Sequence, residues 1–87
     1  MLEEIRARID QIDDELVRLF LERLSLAEEI AEIKRAENLP IRSAAREQEI
    51  IDRLTTGRPD AVAGYIETFF AALFEISRAY QAELLER

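Results

Sequence analysis

Residues 5–34 have the sequence IRARIDQIDDELVRLFLERLSLAEEIAEIK, in which apolar residues recur at alternating steps of four and three. This spacing is typical of a long α-helix with a coiled-coil seam. The seam consists of Ile5, Ile9, Ile12, Leu16, Leu19, Arg23, Leu26, Ile30 and Ile33. Arg23 is the exception, because a guanidinium keeps its charge at every useful pH and is costly to bury without an anion beside it. We therefore expect a negatively charged group, such as a ligand, to meet Arg23.

The composition excludes several classes of chemistry. The 87 residues include no His and no Cys, so the chain offers no Cys/His metal site, no thiol nucleophile and no imidazole base. We expect neither a metal nor a cofactor. The formal net charge of −7 argues against nucleic acid as a partner, because binding to a phosphate backbone normally relies on a basic face. No segment has the pattern of a signal peptide or a membrane span, and we expect a cytoplasmic protein.

The first helix is predicted to begin at Leu2 or Glu3 and to end at about Glu37. Asn38 follows, and Pro40 cannot continue the helix. At a rise of about 1.5 Å per residue this helix is roughly 50 Å long. The rest of the chain is too short to cover it, so we expect an intertwined homodimer in which a second copy packs against the seam.

Two further helices are predicted, and no segment alternates like a strand, so the fold class is all-α. The second helix begins at about Ser43, as its N-cap, and stops near Gly57. The third helix begins at Pro59 and Asp60 and reaches about Leu85. Its buried face is predicted to comprise Val62, Ile66, Phe69, Phe70, Leu73, Phe74, Ser77, Gln81 and Leu84. We expect one free-standing domain over residues 1–87.

Charged residues on the first helix form a possible binding site. Lys34 comes three turns after Arg23, within roughly 20° of the same face and about 16 Å along the axis, so the two cations can bracket a small anion. Arg6 lies about 25 Å from Arg23, too far to share one small-molecule site within a chain. In an antiparallel dimer the partner's copy of Arg6 returns to this site.

Polar residues also interrupt the apolar faces of the other two helices. Arg46 and Glu47 lie one turn before Ile50 on the second helix, and Ser77 and Gln81 lie one turn apart on the third. Buried polar groups are normally hydrogen-bonded or serve a ligand. Taken singly, each of these residues is as well explained by a surface ion pair or a local hydrogen bond.

Together with LPIRSAAREQEIIDRL at residues 39–54 and FEISRAYQAELL at residues 74–85, the first helix resembles the all-helical (AroQ-type) chorismate mutases over nearly the whole chain. The resemblance implies that the site consists of Arg6 of the partner, Arg23, Lys34, Ser43, Arg46, Glu47, Ser77 and Gln81. The family often carries an acidic residue where this chain has Ser43, so we expect the contact to the substrate hydroxyl there to be weaker or to be made by backbone. The connection TTGRPDAVAG at residues 55–64 is also short.

The resemblance implies conversion of chorismate to prephenate, a concerted rearrangement in phenylalanine and tyrosine biosynthesis that needs no metal and no covalent intermediate. Arg6, Arg23 and Arg46 are assigned to the two carboxylates of the substrate, because a guanidinium can bind a carboxylate through two hydrogen bonds. We assign Lys34 to the ether oxygen, which becomes negative only in the transition state.

The other assigned residues complete the expected site. Gln81 is assigned to the ether oxygen beside the lysine, and Ser77 to one of the carboxylates. Glu47 is assigned to the ring hydroxyl as an acceptor.

Two other functions stay open at this point. One is an isochorismate-pyruvate lyase of the same fold, and the other is a non-catalytic helical dimer that acts as a regulatory module. The regulatory module predicts that Arg23 pairs with a protein carboxylate. A mutase that needs a partner enzyme for full activity also stays open.

Overall fold

A computed structural model describes residues 1–86, in which three α-helices and no strand are present. The helices are α1 (Leu2–Glu37), α2 (Ala44–Thr55) and α3 (Asp60–Leu85). The predicted all-α fold and the three predicted helices are therefore confirmed. The predicted domain boundary at residue 87 lies outside the described residues.

The C-terminus of α1 is closed by a left-handed residue. Asn38 has φ 56° and ψ 43°, and its amide donates to the carbonyl of Arg35 at 3.3 Å. The amide of Leu39 donates to the carbonyl of Lys34 at 2.8 Å. These two bonds form a Schellman motif, which satisfies carbonyls that the helix leaves free at its end. The chain then reverses, and this turn brings Ile41 back beside Lys34.

The short helix α2 begins at a serine cap and ends at a glycine turn. The hydroxyl of Ser43 accepts a hydrogen bond from the amide of Arg46 at 3.2 Å, as an N-cap residue does. After the helix, Gly57 has φ 78°, a conformation that costs a residue with a Cβ about 1 kcal/mol or more. Only residues 56–59 separate α2 from α3. The two helices consequently form a tight hairpin and pack on each other.

The second half of α1 packs on α3. The contacts advance together along both helices: Arg23 meets Phe74, and Lys34 meets Gln81. The two helices therefore run parallel here. Ala27 and Ala31 are 4% and 1% exposed, and their small side chains allow the helices to approach closely.

The seam of α1 is uncovered along its whole length. Its apolar residues are between 45% exposed, at Leu16, and 59% exposed, at Ile12. The radius of gyration is 16.0 Å, whereas a compact chain of this length has a value of about 12 Å. The molecule is a slab of 53 × 29 × 14 Å. A layer 14 Å thick has little interior of its own.

Two residues predicted on the buried face of α3 are instead exposed in the single chain. Val62 and Phe69 are on the surface, whereas Phe74 and Gln81 are buried as predicted. The reason is angular, because Val62 and Phe69 lie about 100–140° around α3 from the buried pair. The predicted apolar face therefore extends further around α3 than the face that the single chain buries.

No helix within residues 1–86 combines the length and the apolar character needed to cross a membrane.

Candidate active site

A cavity of about 470 Å³ opens between the three helices and the turn after α1. This volume is within the range of small-molecule sites, about 300–1,000 Å³. Its polar lining residues are Arg23, Lys34, Ser43, Arg46, Glu47, Ser77, Arg78 and Gln81. Leu26, Ala27, Ile30, Ile41, Ile50 and Phe74 supply the apolar part of the wall. Seven of the eight residues predicted for the site therefore line one cavity.

Lys34 links α1 to the turn after it and to α3. Its ammonium donates to the carbonyl of Ile41, in the turn after α1, and to the side-chain oxygen of Gln81, on α3, at 3.2 Å. Both acceptors are neutral, so the positive charge of Lys34 is not cancelled by them. An ammonium has three N–H groups, and the third remains for a ligand.

Gln81 is the most deeply buried polar residue of the site, at 5% exposed. Its side-chain nitrogen donates to the hydroxyl of Ser77 at 3.1 Å, while its oxygen accepts from Lys34. The bond to Lys34 orients the amide, because only the oxygen end can accept from an ammonium. One N–H of the amide is left over for a ligand.

Arg23 has an aromatic partner in place of an acidic one. Its guanidinium carbon lies 5.9 Å from the centre of the Phe74 ring, within the range of a cation–π contact. No carboxylate of residues 1–86 forms an ion pair with Arg23. Its charge is thus available to an anion in the cavity.

Arg46 and Ser43 occupy the open edge of the cavity. The guanidinium of Arg46 contacts Glu49 at 3.3 Å, and both side chains are exposed. If Arg46 binds a ligand, it gives up this weak surface contact with Glu49. Ser43 already accepts a bond from the backbone of α2, so its oxygen stabilises the helix start as well as lining the cavity.

Glu47 is the one carboxylate on the cavity wall within the described part of the chain. It accepts a hydrogen bond from Arg78 of α3, and Arg42 lies 3.7 Å away. The sequence analysis missed Arg78, although it lies between Ser77 and Gln81 on the same turn. No periodicity in one helix reveals a pair that is 31 residues apart and depends on the packing of α2 against α3.

Arg6 is not part of the cavity of its own chain. It lies on the exposed first half of α1. Its contribution from a partner chain remains a prediction.

The cavity has a positive field in an acidic protein. Within residues 1–86 its charged lining consists of four positive side chains, Arg23, Lys34, Arg46 and Arg78, and one negative side chain, Glu47. The whole chain carries −7. A local cluster of this kind attracts a small anion with more than one negative charge. No group of acidic side chains within residues 1–86 is arranged to hold a metal ion.

Glu15 and Arg18, two residues whose pKa is shifted, lie outside this cavity. A side-chain hydrogen bond from Arg18 lowers the pKa of Glu15, and the same bond raises the pKa of Arg18. Both residues are exposed on the outer surface of α1.

Comparison with known proteins gives consistent matches. A family model described as chorismate mutase type II matches residues 5–82. A chorismate mutase of Methanocaldococcus jannaschii is 38% identical over 89 residues, which cover 98% of this chain and 88% of that protein. A bifunctional chorismate mutase/prephenate dehydratase of Aquifex aeolicus is 49% identical over 53 residues, 61% of this chain and 15% of that protein. The bifunctional protein of the same description from Escherichia coli is 33% identical over 85 residues, 95% of this chain and 22% of that protein. The chain thus spans less than a quarter of either bifunctional relative.

Proposed function

Because this chain belongs to the type II chorismate mutase family, we propose that it converts chorismate to prephenate in the cavity between its three helices. The observation that carries this proposal is the convergence of seven polar residues, predicted from three separate helices, on one cavity with excess positive charge. A dianion fits the charge, and the cavity volume of about 470 Å³ suits a molecule of this size.

Binding of the two substrate carboxylates is assigned to the cations without a strong partner. Arg23 contacts only an aromatic ring, and Arg46 has only an exposed partner, Glu49. A guanidinium offers two parallel N–H groups to a carboxylate, which fixes orientation as well as charge. The hydroxyl of Ser77 adds a hydrogen bond to one carboxylate.

The chemical step requires orientation and stabilisation of developing charge. In the rearrangement the ether C–O bond breaks while a new C–C bond forms, and no proton is transferred. The enzyme holds the flexible dianion in the compact conformer in which the two carbons meet. Lys34 and Gln81 each have an N–H left for the ether oxygen, and their mutual hydrogen bond holds them in place before the substrate arrives.

Glu47 is assigned to the hydroxyl group of the substrate ring. As a carboxylate it accepts a hydrogen bond that the ring hydroxyl donates. Ser43, whose oxygen caps α2, is placed at the same edge of the cavity but is already engaged by the backbone.

A homodimer completes the site in this proposal. The exposed seam of α1 provides an apolar surface that a second copy can cover. An antiparallel arrangement of two α1 helices brings Arg6 of the partner chain to the cavity, where it adds a third guanidinium for the carboxylates.

The proposal is tested by incubating the purified protein with chorismate and measuring loss of chorismate and formation of prephenate. Replacing Arg23 with alanine is expected to lower kcat/KM by about 10- to 100-fold, the factor for a lost hydrogen bond to a charged group. Absence of activity in a folded wild-type protein contradicts the proposal. Dominant release of salicylate and pyruvate from isochorismate identifies a lyase instead.

A further inference from the structure

We propose that Arg78 is a positioning residue that holds the carboxylate of Glu47 toward the cavity. Arg78 lies on α3 and donates to the Oε2 atom of Glu47 on α2, so the pair bridges two helices across the cavity wall. Both residues line the cavity. The inference rests on the proposed function, because it concerns how Glu47 is presented to the substrate hydroxyl.

The burial of the two side chains distinguishes this pair from the other ion pairs of the molecule. The side chain of Glu47 is 19% exposed and that of Arg78 is 31% exposed. The remaining ion pairs of residues 1–86 that exclude Glu47 join side chains at least 56% exposed. Water screens exposed pairs strongly, and a partly buried pair much less. The Arg78–Glu47 contact is therefore the least exposed ion pair within residues 1–86 and the one that water screens least.

The position of α2 explains why the contact between Arg78 and Glu47 affects how Glu47 is placed. Because α2 has no fully buried residue and packs on α3, its position over the cavity is sensitive to a polar link to α3. Glu47 lies in the first turn of α2, so the link acts directly on the residue that faces the ligand.

The contact uses only part of the accepting capacity of Glu47. Arg78 bonds to Oε2, while Arg42 lies 3.7 Å from Oε1, beyond hydrogen-bond distance, and its side chain is 65% exposed. Oε1 thus keeps its lone pairs for a hydroxyl group. One oxygen of Glu47 is held by Arg78, and the other is left to accept from a hydroxyl group.

The experiment compares Arg78→Gln, Glu47→Gln, the double variant and wild type by steady-state kinetics with chorismate. Arg78→Gln is expected to lower kcat/KM by about 10-fold, the factor for a lost hydrogen bond to a charged group. In the Glu47→Gln background the same change is expected to have less than about a 2-fold effect, because Arg78 acts through Glu47. Arg78→Lys is expected to restore part of the loss, since it keeps a positive donor.

Arg42→Gln is the matched control, because it removes the other cation near Glu47 and is expected to leave kcat/KM within about 2-fold of wild type. Circular dichroism at the assay temperature confirms that each variant is folded. An equal loss from Arg78→Gln in both backgrounds overturns the inference, as does an Arg78→Gln enzyme with wild-type kinetics. An inactive, folded wild-type protein contradicts the proposed function itself and the inference with it.

Discussion

The two halves of α1 follow one helical repeat in different surroundings. Every residue of the range 1–19 is exposed, whereas the second half packs on α3 through Ala27 and Ala31 and directs Arg23 and Lys34 to the cavity. The seam runs through both halves and is exposed in both. Apart from Arg23, which lies over Phe74, the chain's own packing therefore uses a different face of α1 from the one that the apolar repeat marks.

The alanine face explains how one helix can serve two sets of contacts. Ala27 and Ala31 lie about 100° around α1 from Leu26 and Ile30, the seam residues beside them in sequence. Small side chains on one face suit close packing within the chain, and larger aliphatic side chains on the next face suit a second long helix. The first half of α1 lacks the intramolecular partner, so its contacts depend on the proposed dimer.

The largest effect is expected from a substitution that disrupts the seam in the exposed first half of α1. Ile12→Glu is expected to raise the dissociation constant of the proposed dimer by roughly 10²–10⁴-fold, because two copies of the side chain each lose about 1.5–3 kcal/mol of burial. Activity is expected to fall with the dimer, since Arg6 is then no longer delivered. Analytical ultracentrifugation over a concentration series measures the constant.

Val17→Glu is the matched control for this variant. Val17 is 56% exposed, close to Ile12 at 59%, but it lies about 140° around α1 from it and outside the seam. An equal effect of both substitutions, or a monomeric wild-type protein, contradicts the proposed use of the seam.

The next prediction compares the loss of one cation from each half of α1. Lys34→Ala is expected to lower turnover at least about 10²-fold, as does loss of an oxyanion donor in other enzymes. Arg18→Ala removes an exposed cation from the first half, whose partners are the surface residues Glu15 and Glu22, and is expected to change turnover less than about 2-fold. Single-turnover kinetics separates the chemical step from binding. Near-normal turnover in Lys34→Ala refutes the assignment of this residue to the ether oxygen.

The smallest effect concerns stability and compares two alanines. Ala31→Leu adds volume where α1 meets α3 and is expected to lower the free energy of unfolding by about 1–3 kcal/mol. Ala7→Leu places the same side chain on the exposed half and is expected to change it by less than about 0.5 kcal/mol. Urea unfolding at one protein concentration measures both, because the stability of an oligomer depends on concentration. Equal values for the two variants contradict the close packing described for Ala31.

The helix boundaries were predictable because local chemistry decides them. Asn38 in a left-handed conformation ends α1, the hydroxyl of Ser43 caps α2, and Gly57 supplies the positive φ of the turn that follows. Each of these effects involves residues within one or two turns of each other. Their outcome does not depend on how the helices later pack.

Seven of the eight residues predicted for the site line one cavity, and their roles toward a substrate stay predictions. Arg23 and Lys34 share a face because they are eleven residues apart on one helix, and both line the cavity. Arg78 was missed, because its partner Glu47 belongs to another helix. Val62 and Phe69, predicted on the buried face, are exposed in the single chain, since apolar character alone does not say which side of α3 meets a neighbour.

The sequence by itself determined the three helices, their ends, the long seam of α1 and the family to which the chain belongs. The helices, their ends and the seam depend on periodicity and on capping, which act over short separations along the chain, whereas the family follows from similarity along nearly the whole sequence. Only the tertiary structure decided that Lys34 meets Gln81, that Arg78 holds Glu47, and that the seam is left uncovered by the chain itself. Such contacts depend on the rotation and spacing of whole helices, which the packing of all their side chains sets together.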